Sequence, residues 1–204
     1  MRQKHTRPLF LVAVLGLGLV IAGLSRAAPA AGQDDGDARI KIASAMSAGP
    51  TAIARDATIL DGMLDETGNF VVLREGTNGW TCLPDAPGTP HLDPMCLDQT
   101  WLGWLRAIVA HKAPDKRSLG LAYMLQGGSD ASNTDPFATE PAAGDQWIAS
   151  SPHVMLLQPD PLDQSVFSTD PDAGGPWIMW AGTPYEHIMM PVAEGAGVSA
   201  TPAP

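Results

Sequence analysis

Basic side chains are scarce in this chain: 12 Lys and Arg stand against 22 Asp and Glu, and Arg2, Lys4, Arg7 and Arg26 fall in the first thirty of its 204 positions. Past residue 30 the balance is 8 basic against 22 acidic side chains, a net charge of −14. A body of that sign repels phosphate backbones and anionic lipid faces, so no nucleic-acid partner is expected. Arg106, Lys112, Lys116 and Arg117 come nearest to a basic patch, and they read as cations near a helix C-terminus. Cysteine is nearly absent, with 2 in the chain and no C-x-x-C spacing, which excludes a disulfide-dense scaffold and a zinc knuckle. No apolar run long enough to span a bilayer follows Leu24. No heptad, fixed repeat or low-complexity stretch fills the length, so a coiled coil, a repeat array, collagen and a wholly disordered chain are excluded as well. With 45% hydrophobic residues, what remains is one globular domain of modest size.

The first thirty residues have the three-part layout of a secretory signal. Arg2, Lys4 and Arg7 make a positive start, Leu9 to Leu24 is a continuous run of apolar residues and glycines, and small residues follow from Ala27 to Ala31. A cleavage site fits at Ala28 to Ala30, or slightly earlier at Ser25 to Ala27. The rival reading is an uncleaved anchor, but sixteen helical residues reach only about 24 Å against a hydrocarbon core of about 30 Å. The expectation is therefore a signal peptide over 1–30, a periplasmic or secreted mature protein of bacterial type, and no stable membrane anchor once the signal is removed. In an oxidising compartment Cys82 and Cys96 are expected to form a disulfide, the alternative being a redox or metal-ligand pair.

Residues 31–37 read as a flexible acidic leader and 193–204 as a disordered tail, flanking a single domain over 38–192. An Ala-rich helix is expected from Ala38 to Met46, ended by Gly49-Pro50, and a second short helix from Thr51 to Leu60. Asn69 to Leu73 and Trp80 to Leu83 flank Thr77-Asn78-Gly79 and read as a hairpin. Trp101, Leu102, Trp104, Leu105, Ile108 and Val109 form one apolar stripe of a helix starting near Asp98 and ended by Pro114. Beyond it, Leu119 to Leu125, Trp147 to Ala149, His153 to Gln158, Pro176 to Trp180 and His187 to Val192 are short strand-like runs. The fold class expected is α+β: an antiparallel sheet with the tryptophan helix on one face, one disulfide, and long ordered loops at Gly127 to Asp145 and Pro159 to Gly175.

Three stretches, Gly-Thr-Asn-Gly-Trp-Thr-Cys at 76–82, Tyr-Met-Leu-Gln-Gly-Gly-Ser-Asp-Ala-Ser-Asn-Thr-Asp-Pro-Phe-Ala-Thr at 123–139 and Gly-Thr-Pro-Tyr-Glu-His-Ile-Met-Met-Pro-Val at 182–192, carry a likeness. Over Ala38 to Val192 the chain resembles an uncharacterised family of exported bacterial proteins. The resemblance implies export and carries no mechanism with it.

The sharpest chemical pattern is His-x-Met, which occurs as His153-Val154-Met155 and His187-Ile188-Met189. On a strand, residues two apart share a face, so each pair presents an imidazole and a thioether about 6.8 Å apart. If the strands at 153–158, 176–180 and 187–192 form a meander, the outer two run parallel about 9.6 Å apart, with both histidines at one end near Trp180. Imidazole with thioether suits copper(I). The same residues also fit an ordinary buried strand in which methionine fills gaps. A histidine-only zinc site that adds His91 is a weaker variant of the idea.

The segment Gly127-Gly128-Ser129-Asp130-Ala131-Ser132-Asn133-Thr134-Asp135 is rich in oxygen donors. It invites a calcium reading, yet Asp135 and Pro141 stand where a helix-flanked calcium loop needs glycine and glutamate. Asx turns explain the same residues. Its start is also close to a nucleophile elbow around Ser129, although no helix-forming stretch follows. Asp93, Asp98, Glu140, Asp145 and Glu186 are available as acid and base. Trp80, Trp147, Trp177 and Trp180 lie on strands or beside turns, where an indole can stack on a sugar or an apolar ligand. The leading expectation is an exported protein that binds a small ligand or a soft metal such as copper. A secreted hydrolase using carboxylates and an envelope interaction module are the alternatives.

Overall fold

The structure is a computed structural model that describes residues 31–65 and 67–192; the expected signal peptide and tail lie outside the described residues. In chain order the elements are α1 (Ala31–Ser47), α2 (Thr51–Ala54), β1 (Thr58–Leu64), β2 (Phe70–Arg74), β3 (Thr81–Leu83), β4 (Met95–Leu97) and α3 (Gln99–Val109). They continue with β5 (Gly120–Met124), β6 (Gly128–Asp130), β7 (Ile148–Ser150), β8 (His153–Leu157), β9 (Trp177–Met179) and β10 (His187–Pro191). Eight strands join in the order β2-β1-β3-β4-β5-β8-β10-β9, while β6 and β7 pair separately. The architecture is α+β, but the sheet is mixed rather than antiparallel, because β1 and β3 run parallel with Thr58 opposite Thr81 and Ile59 opposite Cys82. Among the described residues, no helix is long and apolar enough to cross a membrane.

Three local expectations are corrected. The first helix begins at Ala31 and so takes in residues 31–37, which were expected to be a flexible leader. The second helix stops at Ala54, and the chain from Thr58 enters the sheet instead. That insertion also breaks the expected hairpin: β2 pairs with β1, and β1 lies between β2 and β3. Thr77-Asn78-Gly79 still turns the chain, but it is tied to the α2 region. Thr77 N donates to Asp56 O, Asn78 Nδ2 donates to Ile53 O, and Thr58 N donates to Trp80 O. Turn chemistry specifies a reversal and leaves the strand partners open, which burial of the apolar Ile59 and Leu60 then decides.

The centre of the sheet is better specified. Cys82 and Cys96 are directly opposite on β3 and β4 and are joined as a disulfide. Asp98 starts α3: one carboxylate oxygen accepts from Trp101 N at 2.9 Å and the other from Leu121 N at 2.6 Å, so a single side chain caps the helix and fastens it to β5. Gly120 lets the two approach, since a Cβ there would lie 3.1 Å from Trp101 Cδ1. The helix thus covers β4 and β5, with Trp101, Leu102 and Trp104 buried.

Apolar side chains separate onto two faces. On the α3 side, Leu60, Leu83, Leu97, Ala122, Leu157 and several methionines pack with Trp101 and Trp104. On the opposite side, alanines of α1 and α2 pack against Ile59 and the disulfide near one end, and Leu162 packs against Ile178 and Ile188 near the other. The loop expected at 159–175 is held there by Glu186, which accepts from Leu162 N at 3.2 Å and from Gly182 N at 3.0 Å.

Candidate functional site

The strand register places the sulfur and imidazole groups. In β8, His153, Met155 and Leu157 are buried and alternate with half-buried residues, so they share the face beneath α3. Met155 sits directly opposite Met189 of β10 and Ala122 of β5, His153 sits opposite Met124, and His187 sits opposite Met179 of β9. Cross-strand partners point to the same side of a sheet, so Met124, Met155, Met179, Met189, His153 and His187 all belong to one face.

The expected meander is overturned. β10, not β9, lies between its neighbours, and it runs antiparallel to β8. Pro191 therefore faces His153, and His187 lies four residues away along the strand direction, level with Leu157, a separation of about 13 Å. The two histidines occupy different ends of the face.

Between this face and α3 lies a cavity of about 280 Å³. Its walls include Met95, Met124, Met155, Met179 and Met189, together with Trp101, Trp104, Trp180 and His187. Exposed lining residues Gly62, Ala86 and Val109 mark where it reaches solvent. Asp93, Ser129 and Asp130 supply polar surface, and neither Lys nor Arg contributes to the wall.

His187 stands in a ring of indoles. Its centroid is 5.1 Å from that of Trp101, 5.5 Å from Trp104 and 5.3 Å from Trp180, each nearly edge-on. Trp104 and Trp180 stack face to face at 5.8 Å. Trp180, at φ 53°, is oriented by donating Nε1 to Ser132 O at 2.8 Å, so the 127–145 loop positions a wall of the cavity. His187 Nδ1 donates to Tyr185 O at 3.0 Å, which leaves the lone pair on Nε2. That Nε2 is buried with no partner, as are Trp101 Nε1, Trp104 Nε1 and Ser129 Oγ. Burial is the main reason the imidazole pKa falls to about 4, so His187 is neutral at physiological pH.

His153 repeats the local arrangement: Nδ1 donates to Ser151 O at 2.7 Å and Nε2 is buried and unpartnered, with burial lowering its pKa. It sits near Gly128, off the cavity wall. Asp130 lies on that wall, and its pKa is pushed up to about 7, first by burial and then by the neighbouring Asp93 charge. Asp93 accepts from Ala86 N and Thr89 Oγ1, while burial raises its own pKa.

Of the predicted ligand-binding tryptophans, Trp180 lines the cavity and Trp177 lies in the core beside it. Trp80 packs on Tyr123 at 5.5 Å on the opposite side of the sheet, apart from both. The carboxylates named as acids and bases are dispersed: Asp98 caps α3, Glu186 ties loops, and Glu140 and Asp145 line a shallow surface groove with His91. In the oxygen-rich loop, Ser132 Oγ accepts from Thr134 N and Asp135 N, and Asp135 accepts from Phe137 N, the local turn bonding that its composition favours. Among the described residues, no group of three or more His, Cys, Asp or Glu side chains is placed to hold a metal ion. Sequence reasoning missed Met95, Met124, Met179 and Asp130 as members of the cavity. The available signal was methionine on short strands, Met124, Met155, Met179 and Met189 each lying in one.

Comparison with protein-family models, with curated proteins and with solved structures found no match to this chain.

Proposed function

We propose that this protein is an exported binding protein that encloses a small ligand in the cavity beneath α3. The carrying observation is the cavity itself: about 280 Å³ of space, mostly apolar, whose lining residues hold four buried polar atoms with no partner. Ligand sites are built this way, from an apolar wall with a few fixed polar groups. Unpartnered buried groups cost roughly 1–3 kcal/mol each, a cost that a ligand with matching atoms removes. Two indole N–H groups await an acceptor, while the His187 lone pair awaits a donor or an electrophile.

Export is supported by the positively charged, apolar and small-residue layout of residues 1–30 and by the disulfide. The acidic body and the absence of Lys and Arg from the cavity wall favour neutral or cationic guests over anions.

The test uses N-phenyl-1-naphthylamine, a neutral apolar fluorophore. Its emission is expected to rise and saturate at one molecule per chain. Leu105→Trp places an indole at the half-buried α3 wall of the cavity and is expected to weaken this binding at least tenfold while far-UV circular dichroism stays unchanged. Emission that never saturates, or saturation indifferent to Leu105→Trp, overturns the proposal.

A further inference from the structure

We infer that the cavity takes a soft monovalent metal ion of the copper(I) or silver(I) class, with thioether donors from Met155, Met179 and Met189 and an imidazole donor from His187 Nε2. This inference rests on the ligand-binding reading of the same cavity and names its guest.

The chain has 9 methionines, and five of them line this one cavity. Methionine is a common filler of apolar space, but here the buried methionines are gathered on one face of the sheet. The Ile178 and Ile188 cluster on the other side of the sheet has Met190 at its edge, and the alanine cluster has Met46 at its edge. The β10 strand sets the geometry. Met189 and His187 are two residues apart on it and share a face, Met155 is the direct partner of Met189, and Met179 is the direct partner of His187. Directly opposed Cβ atoms lie about 5 Å apart. Two thioethers therefore face each other across β8 and β10, and a third faces the imidazole across β10 and β9.

His187 has the preparation of a ligand. Its Nδ1–H is held by a backbone carbonyl, which fixes the tautomer and aims a lone pair from Nε2. That atom is buried and lacks a partner. Neutral thioether and imidazole donors select soft ions with low charge over magnesium, calcium or manganese, which prefer oxygen. The wall carries the acidic side chains Asp93 and Asp130 and no Lys or Arg, and three indoles stand within 5.5 Å of the His187 ring. Met179 takes the place in this donor set that the sequence pattern suggested for His153, which lies off the cavity wall.

Thiolate, the usual competitor for these ions, does not complicate the test, since the 2 cysteines are joined as Cys82–Cys96 and no free cysteine remains among the described residues. The full protein is titrated with silver(I) in air, and with copper(I) under anaerobic conditions against a bicinchoninate competitor. Native mass spectrometry is expected to show one ion retained per chain, and tryptophan emission is expected to fall as it binds. Met155→Leu combined with Met189→Leu keeps the shape and removes two sulfurs; it is expected to weaken binding at least 100-fold. Met190→Leu, on the opposite face, is expected to bind as the parent does. His187→Gln is expected to weaken binding at least tenfold. Saturation by N-phenyl-1-naphthylamine without retention of either ion overturns the metal inference and leaves the ligand reading standing. Failure of both probes overturns both, and ion binding unchanged in the double leucine variant overturns the donor assignment.

Discussion

Asp130 is the place where the cavity's electrostatics can be read most directly. Its carboxyl lies on the wall beside Asp93 and has its pKa raised from 3.8 to about 7, first by burial. In the unfolded chain the group gives up its proton near pH 4, whereas the native protein keeps it until about pH 7. Between these values the native state binds more protons, so stability falls as pH rises through the window and is level above it. Three pH units correspond to about 4 kcal/mol. The side chain keeps some contact with solvent, which screens the interaction, so about 2 kcal/mol is the working magnitude. Asp130→Asn removes the charge and retains the shape. Urea unfolding of parent and variant at pH 7.5 and 4.5 isolates the Asp130 term together with its coupling to Asp93, because contributions from groups that do not interact with Asp130 cancel in the difference. The variant is expected to be more stable than the parent by about 2 kcal/mol at pH 7.5, with most of that advantage gone at pH 4.5. A stability difference that does not change between the two pH values refutes the reasoning, and so does a variant less stable at pH 7.5.

Other substitutions probe the frame around the cavity. His187, with its pKa lowered to about 4 by burial, carries the opposite sign. Its unfolded form gains a proton below pH 6.5 that the native form refuses, so stability is present above that pH and declines by about 3 kcal/mol as pH falls to 4. His187→Gln is expected to lose this decline in the same urea series. Asp98→Ala frees both the Trp101 and Leu121 N–H groups; a lost cap plus an unsatisfied strand donor predicts a loss of about 2–4 kcal/mol, measurable by chemical unfolding. Gly76→Ala would set a Cβ onto the backbone of Ala57 and Thr58, atoms that cannot swing away, and a loss of at least about 2 kcal/mol is expected from calorimetry. Replacing both Cys82 and Cys96 with Ala opens a loop of sequence separation 14 and is expected to cost about 3 kcal/mol, a fall in Tm near 9 °C.

The strands and the main helix were legible where side-chain chemistry acts within a few residues. Asp98 before an apolar stripe identified the start of α3, because capping is local. The alternation His153, Met155, Leu157 identified β8 and its buried face for the same reason. The reversal at Thr77-Asn78-Gly79 was readable too, but its strand partners were not. β1 entered between the expected hairpin strands, since a turn motif carries no information about a segment twenty residues earlier.

For the candidate site, the sequence alone determined composition: which residues are soft donors, that His153 and His187 each precede a methionine by two, and that two cysteines are available to pair. Tertiary structure decided the company those residues keep. Placing β10 between β8 and β9 set Met155 against Met189 and Met179 against His187, moved His153 to the far end, and brought Trp101, Trp104 and Trp180 around one imidazole. Strand order depends on the burial of whole faces and on the reach of connecting loops, which are collective properties of the folded chain, whereas donor chemistry belongs to each side chain separately.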